Sequence, residues 1–555
     1  MAFRVNIPLG FALIFPLLLL MGSRQPAAAA PNAIPLPMPR QIQSLLETVS
    51  AENKGDNQAS AASKALNASL LDLYRGRAFK PFWIAEGRPT PRAAVLRGFL
   101  EGSEEEGLRP EDYRVEQIGR LWRKPDNASH ARLDLLLTEG FIRYALDVGR
   151  GRDTARAVEE PAQSASGTDA KLNAAILKGL EAAEPGRFLG PRAPRHPYYL
   201  ALKRALRDYR EISRNGGWPT IPAGPTLRVG MSDPRIPLLR ERLALTDPVT
   251  AAANPASLVY DPALVSAVRH FQRRHSLPEG GIVGPETLAA MNVSVEQRIR
   301  RILVNLERWR WLAVDTAGRH LWVNIPGFVL LGLKDGSIEL DMPVVVGKID
   351  QQTPAFEERM EYLEFNPDWR VPLEIAVNEY LPELRKDPSS LAKKHIRFFL
   401  GPGKNAPEVD PRGIDWSQAT PATMERYVLR QDPGPWNALG TVKFMFPNKY
   451  NVYLHDTSEP RFFAKHRRTY SHGCVRVGRP YELAAWILAR EAEPWNLERV
   501  LATVASGQQV NIPLGQPLPV HLVYRTAWVD GDNSLRFPPD VYSRDGALEK
   551  ALFGG

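Results

Sequence analysis

Cysteine is almost missing from this chain: Cys474 is the single thiol in 555 residues. No intramolecular disulfide can form, so a disulfide-framed scaffold is excluded. There is no internal repeat and no low-complexity tract beyond Ala27 to Ala30, which leaves no place for a disordered or fibrous class. Long apolar runs are lacking too. The best candidate, Leu9 to Met21, is interrupted by Gly10 and Pro16 and is too short for a good membrane span. No His-Glu-x-x-His string occurs, so that metallopeptidase motif is absent.

What is present is the composition of a folded, soluble protein, 44% hydrophobic and 24% charged, with 49 prolines that point to many loops. The chain is too long for one ordinary core, and several domains are expected. Arg4, the apolar run and the small residues Ala27 to Ala30 read together as an export signal over residues 1–30, which directs the protein to the periplasm or cell envelope. An uncleaved segment acting as an inner-membrane anchor stays open as an alternative. No cysteine follows the alanines, which argues against a lipoprotein. Cleavage would remove Arg4 and Arg24 and no acid, taking the net charge from +9 to +7. Such basicity suits an anionic polymer, nucleic acid or plain solubility alike, and export sets nucleic acid aside.

The predicted organisation is a multidomain α+β chain. After a linker at 31–60, residues 61–223 are rich in helix formers, with Leu133 to Leu146 and Lys171 to Ala182 as clear segments, and the expectation is a helical scaffold. Residues 224–294 form a small unit. Ile236, Leu239 and Leu243 repeat at helical spacing, as do Leu264, Ala267, Val268 and Phe271, while Asp261-Pro262 and Gly284-Pro285 open two helices. From 295 to 506 a helix gives way to period-two patterns at Leu321 and Val323, at Met342, Val344 and Val346, and at Val442, Phe444 and Phe446. This domain is mainly β, with an insertion at about 376–438 that has the position of a lid. Residues 507–555 read as a strand-rich extension.

Three of the ten histidines, His455, His466 and His472, fall in the stretch leading to Cys474. A thiol nucleophile needs a base or cation beside it, because free cysteine is mostly protonated at neutral pH, and histidine is the usual supplier. If Val452 and Leu454 face the core, Tyr453 and His455 share the opposite face of their strand. By the same alternation His472, Cys474 and Arg476 point one way while Val475 and Val477 point inward. Gly473, just before the thiol, lets the backbone approach a substrate and aim N–H groups at a developing oxyanion, or it only relieves a turn. Arg461, Lys465, Arg467 and Arg468 form a basic loop that either attracts carboxylates or is simply solvated. Tyr453 and Tyr470 are candidates for aromatic pocket walls, with a buried core place equally open for Tyr470.

Two strings carry resemblances. Ala267-Val268-Arg269-His270-Phe271-Gln272, Leu277 and Gly281-Ile282-Val283-Gly284-Pro285-Glu286-Thr287-Leu288 resemble the small peptidoglycan-binding domain found beside wall enzymes, which implies three helices and a shallow groove; these residues also read as plain core and turn. His455-Asp456-Thr457 and, 19 positions from His455 to the thiol, Ser471-His472-Gly473-Cys474-Val475-Arg476-Val477 resemble the active-site signature of the L,D-transpeptidases with a YkuD-type catalytic domain. Asn437-Ala438-Leu439-Gly440 and Phe446-Pro447-Asn448 look like members of the same pattern, and the whole organisation is similar to the long proteobacterial type. The resemblance implies Cys474 as nucleophile, His455 as proton acceptor and donor, and His472 as an auxiliary histidine. It further implies Gly473 and Cys474 as oxyanion N–H donors, with Tyr453, Ser471 and Arg476 on the substrate side. Arg476 stands where many relatives have Asn, and either binds a substrate carboxylate or stiffens the site. The implied reaction is acyl transfer between peptidoglycan stem peptides through a thioester, forming cross-links, with an amine acceptor, no cofactor, and sensitivity to carbapenems. Other wall-synthesis proteins are natural partners. Two rival classes remain: a zinc hydrolase with His455, His472 and Cys474 as ligands, and a non-catalytic wall-binding protein in which Cys474 is incidental.

Overall fold

The computed structural model describes residues 36–55, 61–159, 170–246, 255–312, 318–403 and 405–554; the signal-like segment 1–30 lies outside them. Among the described residues no helix is long and apolar enough to cross a membrane.

The helical region is built round α1 (Asn127–Arg150), which starts where Asp126 accepts the Ser129 N–H at 2.8 Å and stops at Gly151, φ +75°. Buried residues such as Leu133, Leu136, Leu137, Phe141 and Ala145 occur nearly all round it, as a helix at the centre of a core requires. The linker expected at 31–60 is corrected here. Helix Met38–Gly55 runs through it and buries Ile42, Leu46 and Val49 in the same core as α1, an i, i+4, i+7 stripe that belongs to a packed helix.

Helix α2 (Pro197–Arg214) leads to a three-helix unit of α3 (Ile236–Ala244), α4 (Pro262–Arg274) and α5 (Pro285–Met291). Asp261 caps α4 by accepting the Leu264 N–H at 2.8 Å. Gln272 is buried and clamps the following turn, accepting from Gly281 N–H at 2.8 Å and donating to the Ile282 carbonyl at 2.8 Å. Gly281 sits at φ +64°, and a Cβ there would lie 2.6 Å from Val265. In this part of the motif, Phe271, Gln272 and Gly281 therefore serve the fold.

Helix α6 (Val295–Arg310) carries a capping box at Ser294 and Gln297 and packs on α2. A nine-stranded sheet follows, with β1 (Arg319–Asn324), β2 (Val329–Lys334), β3 (Ser337–Gly347), β4 (Phe356–Phe365), β5 (Val442–Met445), β6 (Leu454–His455), β7 (Thr469–Ser471), β8 (Val475–Val477) and β9 (Val510–Val523) in the order β7-β3-β8-β6-β5-β4-β9-β1-β2. Strand β3 also pairs with β2, so the strand order returns on itself. Leu321, Val323, Val344, Val346, Leu363, Phe444, Leu454, Val475 and Val520 fill its core.

Between β4 and β5 stands a second layer. Its four strands run in the order Trp369–Arg370, Tyr427–Gln431, Ile396–Leu400, Glu408–Val409, round a core of Trp369, Leu384, Phe398, Trp416 and Leu429. This core reaches from Trp369 to Leu439, wider than the 376–438 expected, and two of its strands have only two residues, too few for alternation to register. The reading of 507–555 as an extension is also corrected. β9 is an inner strand, antiparallel to β4 and parallel to β1, so the strand read in this stretch belongs to the main sheet although Pro513, Pro517 and Pro519 cannot donate to a ladder. Its register with β4 shifts between Pro513 and Leu518. The strands of this stretch continue with the pair Trp528–Val529 and Leu535–Arg536, and helix α7 (Asp545–Phe553) follows. Arg308 of α6, which is buried, pairs with the partly exposed Asp545 at the start of α7, 2.7 Å.

Candidate active site

Parallel pairing of β6 with β8 sets Leu454 opposite Val475 and His455 opposite Arg476. Leu454, Val475 and Val477 are fully buried on the core side, so Tyr453, His455, Cys474 and Arg476 come to the other face, as the alternation predicted. On the far side of β6, Lys443 of β5 is opposite His455, and its ammonium lies 4.4 Å from the centre of the Tyr453 ring.

Cys474 is half-buried. Its thiol lies 3.8 Å from the Asn451 carbonyl and is hydrogen-bonded by Tyr453. Burial pushes the thiol above its ordinary value, against the opposing pull of the Tyr453 hydrogen bonds and of Lys443 and Arg476. Burial, with Arg476 and Lys443 adding to it, holds the buried His455 ring down to about 3. The resting pair is thus a neutral thiol and a neutral imidazole, in place of the thiolate that a charged histidine would support.

The two flanking strings hold this arrangement in place. Asn448 bridges the turn before β6, donating to the carbonyls of Phe446 and Val452 at 2.7 Å each. Asn437 is fully buried and donates to the Pro367 carbonyl at 3.0 Å while accepting from the Leu439 N–H at 2.8 Å. The Asp456 carbonyl lies 2.5 Å from His455 Nδ1. The Asp456 carboxylate takes the N–H groups of Thr441 at 2.9 Å and Thr457 at 2.7 Å. Gly440, at φ +62°, passes so close that a Cβ would meet that carboxylate at 2.3 Å. Asp456 stood in the quoted His455-Asp456-Thr457 string without a role, and Thr441 was not singled out from the sequence; the nearest signal for it was Gly440 in its quoted string.

Other candidates stand differently from their expected places. Gly473 at φ +112° interrupts the alternation, so His472 does not follow Cys474. His472 Nε2 lies 2.6 Å from Glu379 of the inserted layer and 3.4 Å from Lys348. Among the described residues no group of three His, Cys, Asp or Glu is placed to hold a metal ion. The Gly473 N–H is engaged by Ser471 Oγ at 3.2 Å, and that hydroxyl donates to the Cys474 carbonyl at 2.5 Å. Ser471 is buried and acts on the backbone of the nucleophile. Arg476 is met by Glu459 at 3.1 Å, which favours the stiffening role. In the basic loop Arg468 donates to the carbonyls of Val344, Phe328 and Lys465, while Lys465 and Arg467 are exposed. Tyr470 stacks on Phe462, centroids 4.5 Å apart.

Three stretches of the chain match known protein families. Residues 318–512 match the family profile described as "L,D-transpeptidase catalytic domain", the YkuD family. Residues 234–291 match "Putative peptidoglycan binding domain", and residues 68–206 match "Scaffold domain". A curated protein of Haemophilus influenzae (strain Rd), named "Putative L,D-transpeptidase", is 31% identical over 252 residues, 45% of this chain and 49% of that protein. The chain thus spans about half the length of that relative. A solved L,D-transpeptidase from Xylanimonas cellulosilytica aligns over 54% of this chain and 99% of its own at 14% identity and a TM-score of 0.17, too low to carry an argument. On the match at 318–512 and the one at 234–291, the chain carries a YkuD-type L,D-transpeptidase catalytic domain beside a peptidoglycan-binding domain.

Proposed function

We propose that this protein is an exported, cysteine-dependent L,D-transpeptidase that links peptidoglycan stem peptides. The observation that carries the reading is the β6–β8 register, which sets Tyr453 and His455 beside Cys474 and Arg476 on one face of the sheet. In the reaction, Cys474 sulfur attacks the carbonyl of an L-centre in the donor stem and a thioester forms. The bond to the terminal D-amino acid breaks, and that residue leaves as an amine. An acceptor amine from a second stem then attacks the thioester, restoring the thiol and leaving a direct cross-link.

Because thiol and imidazole are both neutral at rest, the proton moves from sulfur to His455 during attack, not before it. With the Nδ1 proton directed to the Asp456 carbonyl, Nε2 is the nitrogen left to accept it. The resulting imidazolium gives the proton to the leaving amine, and His455 later takes one from the acceptor. The peptidoglycan-binding domain supplies the wall contact, and the chain's own residues suffice for the chemistry.

The test is intact mass after exposure to a carbapenem, whose strained acyl group offers itself to the same thiol. One stable adduct is expected on the wild type and none on Cys474→Ala. An adduct that survives the substitution would put the reactive group elsewhere. A thiol-directed probe that finds Cys474 inert in the folded protein would favour the wall-binding alternative.

A further inference from the structure

The turn that carries the nucleophile is pinned from behind by residues that lie outside its motif. Thr353 is fully buried. Its hydroxyl donates to the Gly473 carbonyl at 2.7 Å and accepts the Gly347 N–H at 2.9 Å. Tyr542, in the tail beyond β9, reaches the same point: its hydroxyl donates to the Gly347 carbonyl at 2.7 Å and accepts the Thr353 N–H at 3.2 Å. The tail holds Tyr542 in turn, since the Tyr542 N–H donates to Tyr524 Oη at 2.8 Å and Tyr524 donates to Asp540 at 2.5 Å. Gly347 has no room for a side chain, as a Cβ would lie 2.0 Å from the Gln351 carbonyl. The 347–353 turn is therefore folded tightly back, with Thr353 aimed at Gly473.

A trans peptide unit directs its C=O and the following N–H in opposite senses. Thr353 draws the Gly473 carbonyl into the core, and the Cys474 N–H of the same peptide must point the other way. Meanwhile the Gly473 N–H is engaged by Ser471. We propose that Thr353 and Tyr542 are positioning residues for acyl transfer: by holding the Gly473 carbonyl inward they aim the Cys474 N–H at the oxygen of the acyl group under attack. Neither touches substrate. The tail beyond residue 512, outside the matched catalytic domain, is thereby part of the machinery. This inference rests on the transpeptidase reading above.

The experiment separates oxyanion formation from thiol reactivity. Transpeptidation of a muropeptide with a tetrapeptide stem develops negative charge on oxygen; alkylation of Cys474 by iodoacetamide does not. Both are measured for the wild type, Thr353→Val, Thr353→Ser and Tyr542→Phe, each with a thermal melt. Thr353→Val is expected to lower kcat on the order of 10²-fold, the scale of losing an oxyanion donor, with KM and the pH profile of alkylation unchanged. Thr353→Ser should restore most of kcat, and Tyr542→Phe should lose about tenfold as the weaker, indirect support. Wild-type kcat in Thr353→Val, or alkylation that falls in step with kcat, would overturn the proposal. If Thr353→Val does not fold, Tyr542→Phe decides by the same two readouts. Normal alkylation with no transpeptidation in the wild type itself would refute the functional reading, and this inference with it.

Discussion

Acid distinguishes a neutral thiol and imidazole from an ion pair. Burial among Arg476 and Lys443 holds His455 down to about 3, against an ordinary 6.5. The ring stays neutral in the folded protein while the unfolded chain binds a proton below 6.5. Stability from this site is thus complete above 6.5 and is lost as pH falls toward 3. That interval, at about 1.4 kcal/mol per pH unit, amounts to on the order of 5 kcal/mol, a large part of a typical domain's margin. Urea unfolding of the wild type and His455→Gln at pH 7.5 and 4.5 reads it directly. Over that range the wild type should lose about 2–3 kcal/mol more than the variant, since two of the pH units lie below 6.5. Activity carries the matching sign. Acylation should show no acid limb at 6.5, and alkylation of Cys474 should keep rising with pH past 9, because burial raises the thiol above its ordinary value of 9.0. Equal acid sensitivity in the two proteins, or an acid limb near 6.5 that vanishes in His455→Gln, would refute the neutral pair.

Cys474→Ser should be nearly as inactive as Cys474→Ala in the carbapenem mass assay, since a hydroxyl is far less acidic than a thiol. His455→Ala should slow acylation by roughly 10² to 10⁴-fold with the fold intact by circular dichroism. His472→Ala should cost clearly less than His455→Ala in the same kinetics, because His472 is turned to Glu379 at 2.6 Å. Gly440→Ala places a methyl against the Asp456 carboxylate and a side chain at φ +62°, so a melt should show about 2–4 kcal/mol of destabilisation from strain and lost charge-assisted hydrogen bonds. Acylation should slow as His455 loosens.

The sequence was most informative where a period of two ran unbroken. Leu454, Val475 and Val477 alternate with Tyr453, Cys474 and Arg476, and the burial of the first set brings the second together. The same rule failed at His472 because one glycine at φ +112° reverses the chain between His472 and Cys474, and no periodicity reports a single backbone angle. The place of β9 within the main sheet was hidden for another reason: three prolines in 14 residues obscure its alternation, yet the strand keeps its place because its register shifts between Pro513 and Leu518. The helix at Met38–Gly55 was passed over although Ile42, Leu46 and Val49 carry its stripe, since it is short of other signals. Thr353 and Tyr542 were invisible for a topological reason. They meet Gly347 and Gly473 across sequence gaps of up to 195 positions, and a threonine and a tyrosine are ordinary residues until the fold places their hydroxyls.

Those long-range contacts bear on how the site keeps its shape. β8 is only three residues long and β6 only two, so the strands that present Cys474 and His455 have few ladder bonds of their own. Order must come from around them. On one side Asp456 ties the 439–441 loop to β6 through the Thr441 N–H and hydroxyl. On the other, Thr353 and Tyr542 tie the nucleophile's turn to the tail. That tail is itself fixed by Asp540, which accepts the Arg544 and Asp545 N–H groups at 2.9 Å each, and by the ion pair of Asp545 with the buried Arg308. Arg308 also meets Glu159 at 2.9 Å and Asp545 also meets Arg301 at 3.1 Å, so removing either member of the pair loosens a shared network of four charges. Damage at Arg308 or Asp545 is therefore transmitted along the tail to Tyr542 and Thr353, so that a substitution in the helix before the sheet loosens the peptide at Cys474 without touching it.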